Sequence, residues 1–180
     1  QISCGFDHAL GITINGSLAS GGSNSAGQLG DNTVVLKNNM ATVIDSVNSY
    51  SQVAAGSQAS FALRTNGLLY SWGSDVSGQL GDGTSTNRSS PVQVGTSSWT
   101  TVAAGYSHAL GITTNGSLWS WGNNGNGQLG TNVITARTIT VLDNTNSWSI
   151  VSAIGDSSFA TRTTGALYAW GYNTPGLLGL

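Results

Sequence analysis

The stretch VAAGSQASFALRTNGLLYSWGSDVSGQLG at residues 53–81 matches VAAGYSHALGITTNGSLWSWGNNGNGQLG at 102–130 without a gap. Two further copies flank this pair, ISCGFDHALGITINGSLASGGSNSAGQLG at 2–30 and VSAIGDSSFATRTTGALYAWGYNTPGLLG at 151–179, so that successive copies start 51, 49 and 49 residues apart. A period near fifty residues implies stacked supersecondary units or blades, each burying its apolar face against a neighbour, in a single array over 1–180.

Within the third copy, HALGIT and SLWSW are short runs of β-favouring residues joined through Asn115-Gly116. That dipeptide is the signature of a type I′ hairpin turn, which needs two positive-φ residues. The same turn reads Asn15-Gly16, Asn66-Gly67 and Thr164-Gly165 in the other copies. A further strand is expected from Trp99 to Ala104, where Ala103, Ala104 and Gly105 are small enough for close approach, and a fourth at PVQVG, residues 91–95. The expected fold class is therefore all-β, a β-propeller of about 50-residue, four-stranded blades.

Trp119 and Trp121 are two apart on one strand and share a face, as do Tyr70 with Trp72 and Tyr168 with Trp170. Tyr50, Trp99 and Trp148 form a third row, and the three rows hold nine of the eleven Trp and Tyr residues. Aromatics repeated in this way are expected to pack one blade against the next. The first copy departs from the pattern with Ala19 and Gly21.

All five basic residues fall at two repeat positions, Lys37, Arg88 and Arg137 at one and Arg64 and Arg162 at the other. The first three lie in the variable connections at 31–40, 82–91 and 131–140 and are the candidate partner contacts, as part of a basic ring on one face. The alternative for them is stacking over a neighbouring aromatic or bonding to a loop carbonyl. With seven aspartates, no glutamate and a net charge of −2, the chain has no basic surface suited to nucleic acid. No apolar run approaches the ~20 residues needed to span a bilayer. Cys4, the sole cysteine, occupies the position of Ala55, Ala104 and Ala153 and is expected to be a small buried thiol.

Catalytic groups are scarce. His8 and His108 share a repeat position held by Ala59 and Ser157 elsewhere, which points to packing or to bonding the hairpin. Asp31 and Asp82 directly follow GQLG, where a turn-forming side-chain bond to backbone accounts for them. The stretch DGTSTN at 82–87 lacks the distal glutamate of a calcium loop, and the glycine-rich GNNGNGQLG lies between β elements without opening a helix. No enzymatic activity, cofactor or metal is expected.

The string AGYSHALGITTNGSLWSWGNNGNGQLG closely resembles the regulator of chromosome condensation repeat, whose pattern is a G-x-x-H-S/A-L hairpin followed by W-G-x-N and G-Q-L-G. The resemblance covers essentially the whole chain; kelch repeats, with a Gly-Gly doublet in every blade, are a weaker match. It implies a propeller, most often seven-bladed, of which 180 residues supply roughly half a ring, the rest coming from further repeats or from other chains. Gly21 for the repeat tryptophan, Ile154 for the glycine at 105 and Leu177 for the glutamine of GQLG depart from the pattern.

Family members exchange nucleotide on a small GTPase and bind chromatin, sense ultraviolet light in plants, or inhibit β-lactamase; the G-W-R-H-T motif of the light sensors is absent. The low charge, polar loops and near-identical copies look like bacterial and bacteriophage versions of the repeat. The leading expectation is a non-catalytic structural or adhesive protein-interaction module, extracellular or virion-associated, of a phage tail, fibre or capsid decoration or of a bacterial surface protein. The alternative is a regulatory binding module, such as a guanine-nucleotide exchange factor or enzyme inhibitor. Expected partners are proteins, further repeats of the same chain or a second copy, with no nucleic acid and no membrane span.

Overall fold

The computed structural model describes residues 1–42, 49–131, 133–143, 145, 147–174 and 176–179. Each copy folds as an antiparallel meander: its strands are short, the first three are joined by turns too tight for a crossover, and the fourth, where present, pairs with the third after a longer connection. The first blade is β1 (Ile2–Cys4), β2 (His8–Ile12), β3 (Leu18–Gly22) and β4 (Lys37–Thr42). The second is β5 (Tyr50–Ala55), β6 (Ala59–Arg64), β7 (Leu69–Gly73) and β8 (Arg88–Gln93). The third is β9 (Trp99–Ala104), β10 (His108–Thr113), β11 (Leu118–Gly122) and β12 (Arg137–Asp143), and the fourth has three strands, β13 (Trp148–Ile154), β14 (Ser157–Arg162) and β15 (Leu167–Gly171). The innermost strands β1, β5, β9 and β13 pack side by side along the axis of an all-β propeller.

The hairpin turns differ from the type I′ form. Gly116 has φ 79, yet among the described non-glycine residues only Asn32 has a positive φ, so Asn115 does not. The Gly116 N–H donates to the Thr113 carbonyl at 2.8 Å and the Thr113 N–H to the Ser117 carbonyl at 3.1 Å. This is a three-residue loop, a turn followed by one left-handed glycine forming a bulge. The asparagine contributes its side chain instead: Asn15, Asn66 and Asn115 each accept, through Oδ1, the N–H two residues on, at 3.3, 3.1 and 3.2 Å. Thr164 fits in the fourth copy because only the glycine needs the special backbone.

The outer strand of the second blade also differs from expectation. It runs from Arg88 to Gln93, not from 91 to 95, and places Arg88 opposite Gly73. Lys37 and Arg137 stand opposite Gly22 and Gly122 in the same register. The three basic positions thus open an outer strand and do not belong to a free connection. Pro91 is tolerated there because one edge of the outermost strand lacks a ladder to interrupt.

Three apolar clusters fill three blade junctions, which is why the array has no single core. Leu10, Leu18, Tyr50, Val53, Ala62 and Trp72 join the first and second blades. Phe61, Leu63, Leu69, Leu80, Trp99, Val102, Ala109 and Trp121 join the second and third. Leu110, Ile112, Leu118, Trp148, Val151 and Ala160 join the third and fourth.

Candidate functional site

What the array can present depends on what the junctions consume. The Trp121 indole is fully buried; its N–H donates to the Gln79 carbonyl of the preceding blade's GQLG turn at 2.9 Å. Trp72 and Trp170 repeat the contact on the Gln28 and Gln128 carbonyls at 2.9 and 2.8 Å. Glycine at the end of GQLG is obligatory for this approach, since a Cβ at Gly81 would lie 2.8 Å from Trp121. In the first blade the tryptophan position is Gly21, beside Asn39 and Met40 of the outer strand. Tyr50, Trp99 and Trp148 are buried, Tyr70, Trp119 and Trp170 half-buried, and Tyr168 is exposed. Trp99 lies 6.0 Å from Trp119 and 5.7 Å from Trp121, ring centroid to centroid.

Both histidine rings pack against the turn glycine of their own hairpin, Gly5 and Gly105, and reach across the junction to the next blade. His8 Nε2 lies 2.9 Å from Ser60 Oγ on the next blade, and His108 Nε2 2.8 Å from Ser158 Oγ. Each serine hydroxyl donates onward at 2.7 Å, Ser60 to the Gln28 carbonyl and Ser158 to the Gln128 carbonyl. A hydroxyl has one proton and each serine gives its own to a carbonyl, so the imidazole must donate from Nε2. Burial lowers the pKa of His8, against the opposing pull of Asp7, and lowers that of His108 to about 4, against Asp156. A histidine that donates to the serine cannot remove its proton, so Ser158, His108 and Asp156 do not form an acyl-transfer site.

Where the histidine is Ala59, the facing residue on the third blade is Ala109, and both are buried. The partner therefore changes with the donor. The sequence carries this alternation: HALGITINGSL at 8–18 is nearly HALGITTNGSL at 108–118, and SFALRTNGLLYSWG at 60–73 resembles SFATRTTGALYAWG at 158–171. Reading each copy only against its neighbour hides a two-blade unit.

We expect Ser158→Ala alone to cost about 1–3 kcal/mol, because it strands the buried Nε2–H of His108. The double variant His108→Ala/Ser158→Ala recreates the pair found at Ala59 and Ala109 and should cost less than the sum of the single losses by about 1 kcal/mol in a denaturant double-mutant cycle.

Arg64 and Arg162 alternate with Thr13 and Thr113 on the same two-blade rhythm. The Arg64 guanidinium lies 4.2 Å from the Tyr70 ring centroid and 5.4 Å from that of Tyr50; Arg162 lies 4.7 Å from Trp148 and 5.4 Å from Tyr168. The aromatic stacking considered for the first basic set thus belongs to the second.

Lys37 and Arg88 instead pair with the aspartates that follow GQLG. Lys37 Nζ lies 3.5 Å from Asp31 Oδ2, and Arg88 places Nε and Nη2 each 2.8 Å from Asp82 Oδ2. The aspartates also form the expected turns, Asp31 Oδ1 accepting from Thr33 N at 3.0 Å and Asp82 Oδ1 from Thr84 N at 2.9 Å. Partial burial favours their neutral forms, but the bonds from Thr33 and Thr84 and the nearby cations outweigh it and hold both pKa values below the ordinary range. The two cationic side chains are about one-third exposed. Arg137 holds the equivalent strand position, facing Gly122, and the residue after GQLG there is Thr131.

Asp75 was not singled out by its residue type, although Asn24 and Asn124 hold its repeat position. Oδ1 of Asn24, Asp75 and Asn124 accepts from the leucine N–H of GQLG at 2.9 Å in each case. The Asn24 amide donates to Asp31 Oδ1 and Thr33 Oγ1 at 3.1 and 3.2 Å, whereas Asp75 offers Thr84 Oγ1 a second carboxylate oxygen at 3.2 Å. Burial raises the Asp75 pKa to about 6, with Asp82 adding to it and the Leu80 N–H opposing. Among the described residues no group of three or more His, Cys, Asp and Glu side chains is placed to hold a metal ion. Cys4 is exposed, contrary to the buried thiol expected, because it lines an open cavity together with Ala55, Ala104 and Ala153. Among the described residues no helix is long and apolar enough to cross a membrane.

Comparison with known proteins identifies the repeat. Models of the regulator of chromosome condensation (RCC1) repeat match residues 1–28, 50–79 and 99–128, and also 66–112 and 115–148. The chain is 38% identical over 95 residues to the probable E3 ubiquitin-protein ligase HERC4 of Mus musculus, an alignment covering 52% of this chain and 9% of the ligase. It is 32% identical over 97 residues to the ultraviolet-B receptor UVR8 of Arabidopsis thaliana, covering 52% of this chain and 22% of the receptor. These segments therefore span less than a quarter of either relative.

The crystal structure of human WBSCR16 superposes with TM-score 0.84 at 27% identity, over 96% of this chain and 47% of that one. Prp20p from Saccharomyces cerevisiae superposes with TM-score 0.88 at 24% identity, over 100% of this chain and 47% of the yeast chain. With the repeat models, the GQLG-to-tryptophan junction and the propeller superpositions in agreement, this chain belongs to the RCC1 repeat family.

Proposed function

We propose that the chain is a non-catalytic protein-interaction module of a regulatory or recognition protein. The observation that carries this reading is the division of labour in the blades. Tryptophan, histidine and serine side chains are spent on the junctions, while the outer strands repeat a basic residue in fixed register, tied at Lys37 and Arg88 to an aspartate. A pre-organised, partly exposed cation suits protein recognition, since little rotamer freedom remains to be lost on binding. The probable ubiquitin ligase and the ultraviolet-B receptor named above carry the repeat as part of much longer chains, which favours a module within a larger protein. Neither is a virion or adhesive protein, so the structural-particle reading has no support from them.

The test is site-directed photo-crosslinking from residue 34, between β3 and β4 and three residues before Lys37, in the source cells. A defined heterologous protein should be captured, and Lys37→Ala/Arg88→Ala/Arg137→Ala should reduce capture by about tenfold. Unchanged capture by the triple variant would remove the basic positions from the interface. Crosslinks to copies of the chain alone would defeat the recognition reading.

A further inference from the structure

The hairpin turns carry covalent chemistry that the junctions do not use. The chain holds five Asn-Gly steps, at Asn15, Asn66, Asn115, Asn124 and Asn126. In such a step the backbone nitrogen of the glycine can attack the asparagine side-chain carbon, since the glycine has no Cβ to obstruct the approach. Asparagine is a thermolabile residue for this reason. How firmly the fold holds each carboxamide away from that nitrogen then sets which step reacts.

The glycine nitrogens of the three hairpins do not differ: Gly16, Gly67 and Gly116 donate to the carbonyls of Thr13, Arg64 and Thr113 at 2.9, 2.9 and 2.8 Å. The carboxamides do differ. Asn15 Oδ1 accepts from Thr13 Oγ1 and from Ser17 N and Oγ, the latter two at 3.3 and 3.0 Å. Asn115 Oδ1 accepts from Thr113 Oγ1 at 2.7 Å and from Ser117 N at 3.2 Å. In the second blade Arg64 replaces that threonine and Leu68 that serine, so among the described residues only Leu68 N, at 3.1 Å, holds the Asn66 side chain. Asn66 is exposed and lines an open cavity of about 580 Å³ with Thr65, Ser98 and Thr114.

The other two steps are restrained differently. Asn124 is fully buried and bonded at both ends of its amide, accepting from Leu129 N and donating to Thr131 Oγ1, each at 2.9 Å. The Asn126 amide donates to Asp156 Oδ2 at 3.0 Å, so a carboxylate holds the nitrogen that would have to leave.

We propose that Asn66 is a site of spontaneous deamidation and the first Asn-Gly step of this chain to react. Gly67 N forms a bond to Asn66 Cγ, the bond from Cγ to Nδ2 breaks, and the amide nitrogen leaves as ammonia, the proton lost by Gly67 N balancing the one it gains. Water then opens the succinimide ring at either carbonyl, giving aspartate or isoaspartate, with no oxidant or reductant involved. Isoaspartate inserts an extra carbon into the backbone of a turn whose Gly67 carbonyl accepts Trp99 N of the third blade at 2.8 Å. The reaction therefore loosens the junction of the second and third blades. It uses none of the basic positions assigned to protein binding, so the two ideas fail separately.

The test is peptide mapping by mass spectrometry of the full chain after incubation in mildly alkaline buffer made with heavy-oxygen water, folded and unfolded in guanidinium chloride. Unfolded, Asn15, Asn66 and Asn115 should convert at similar rates, since glycine follows each. Folded, Asn66 should convert about fivefold faster than either, the rate equivalent of one hydrogen bond, with heavy oxygen in both the aspartate and the isoaspartate product. Arg64→Thr/Leu68→Ser, which gives the second blade the side chains of the first and third, should slow Asn66 to the rate of Asn115. Equal rates in the folded chain, another Asn-Gly step converting first, or Asn66 still intact when the unfolded chain has fully converted would each overturn the proposal.

Discussion

Replacing Trp121 by alanine is expected to destabilise the chain by about 3 to 5 kcal/mol, the range for emptying a fully buried large aromatic site. Three losses combine. The indole leaves a void between Phe61, 6.1 Å away by ring centroids, and Trp99 at 5.7 Å. The Gln79 carbonyl loses its donor inside a dry junction. Gly81, whose backbone lies against the indole, loses its neighbour. Urea titration of wild type and variant measures the difference, and a loss below about 1 kcal/mol would contradict the burial described. Trp170→Ala offers the contrast: the same bond to the preceding turn is present, but the ring is only half-buried, so a loss of about 1 to 2 kcal/mol is expected.

Asp75→Asn should have the opposite sign, and its size should depend on pH. The folded-state pKa of Asp75 is raised from 3.8 to about 6, so the folded protein holds this proton more tightly than the unfolded chain does. The stability linked to the proton is complete below pH 3.8 and is lost as pH rises through about 6. Asparagine supplies an N–H donor at every pH, as Asn24 does toward Thr33. The variant should match wild type near pH 4 and exceed it by about 1 to 3 kcal/mol at pH 7.5. Denaturation curves at the two pH values decide the matter; a stabilisation independent of pH would show that titration of Asp75 is not its source. His108 works in the other direction over an overlapping window. Its pKa is lowered from 6.5 to about 4, so its contribution is complete above pH 6.5 and is lost as pH falls toward 4. The wild-type profile between these limits therefore reports the difference of two opposed titrations, and Asp75→Asn should expose the acid sensitivity of His108.

The blade architecture was legible because it depends on local grammar. Strand β9 occupies Trp99–Ala104 as read, since β-favouring residues and small residues near the axis are written within six consecutive positions. The hairpin turn was half legible: Gly116 has the positive φ that its type demands, but asparagine is compatible with either loop length, and the side-chain bond to the second following N–H decided between them. Roles set across a junction were not legible one copy at a time. His108 makes sense only beside Ser158, fifty residues away, and Ala59 only beside Ala109. Lys37 and Arg88 look like free surface charges until the turn after GQLG folds Asp31 and Asp82 back onto them. Asp75 differs from its counterparts by one atom type, and its meaning lies in burial, which repeat alignment does not report.

The alternation at the junctions also bears on how such an array can grow or shrink. Loss of the second blade alone would set His8 against Ala109 and leave a buried imidazole donor without an acceptor. Loss of the second and third blades together would set His8 against Ser158, which already accepts a histidine and donates to a GQLG carbonyl. Gene segments encoding two blades can therefore be duplicated or deleted without creating an incompatible seam, whereas single-blade exchanges need a compensating substitution next door. The inheritable unit of this array is the pair.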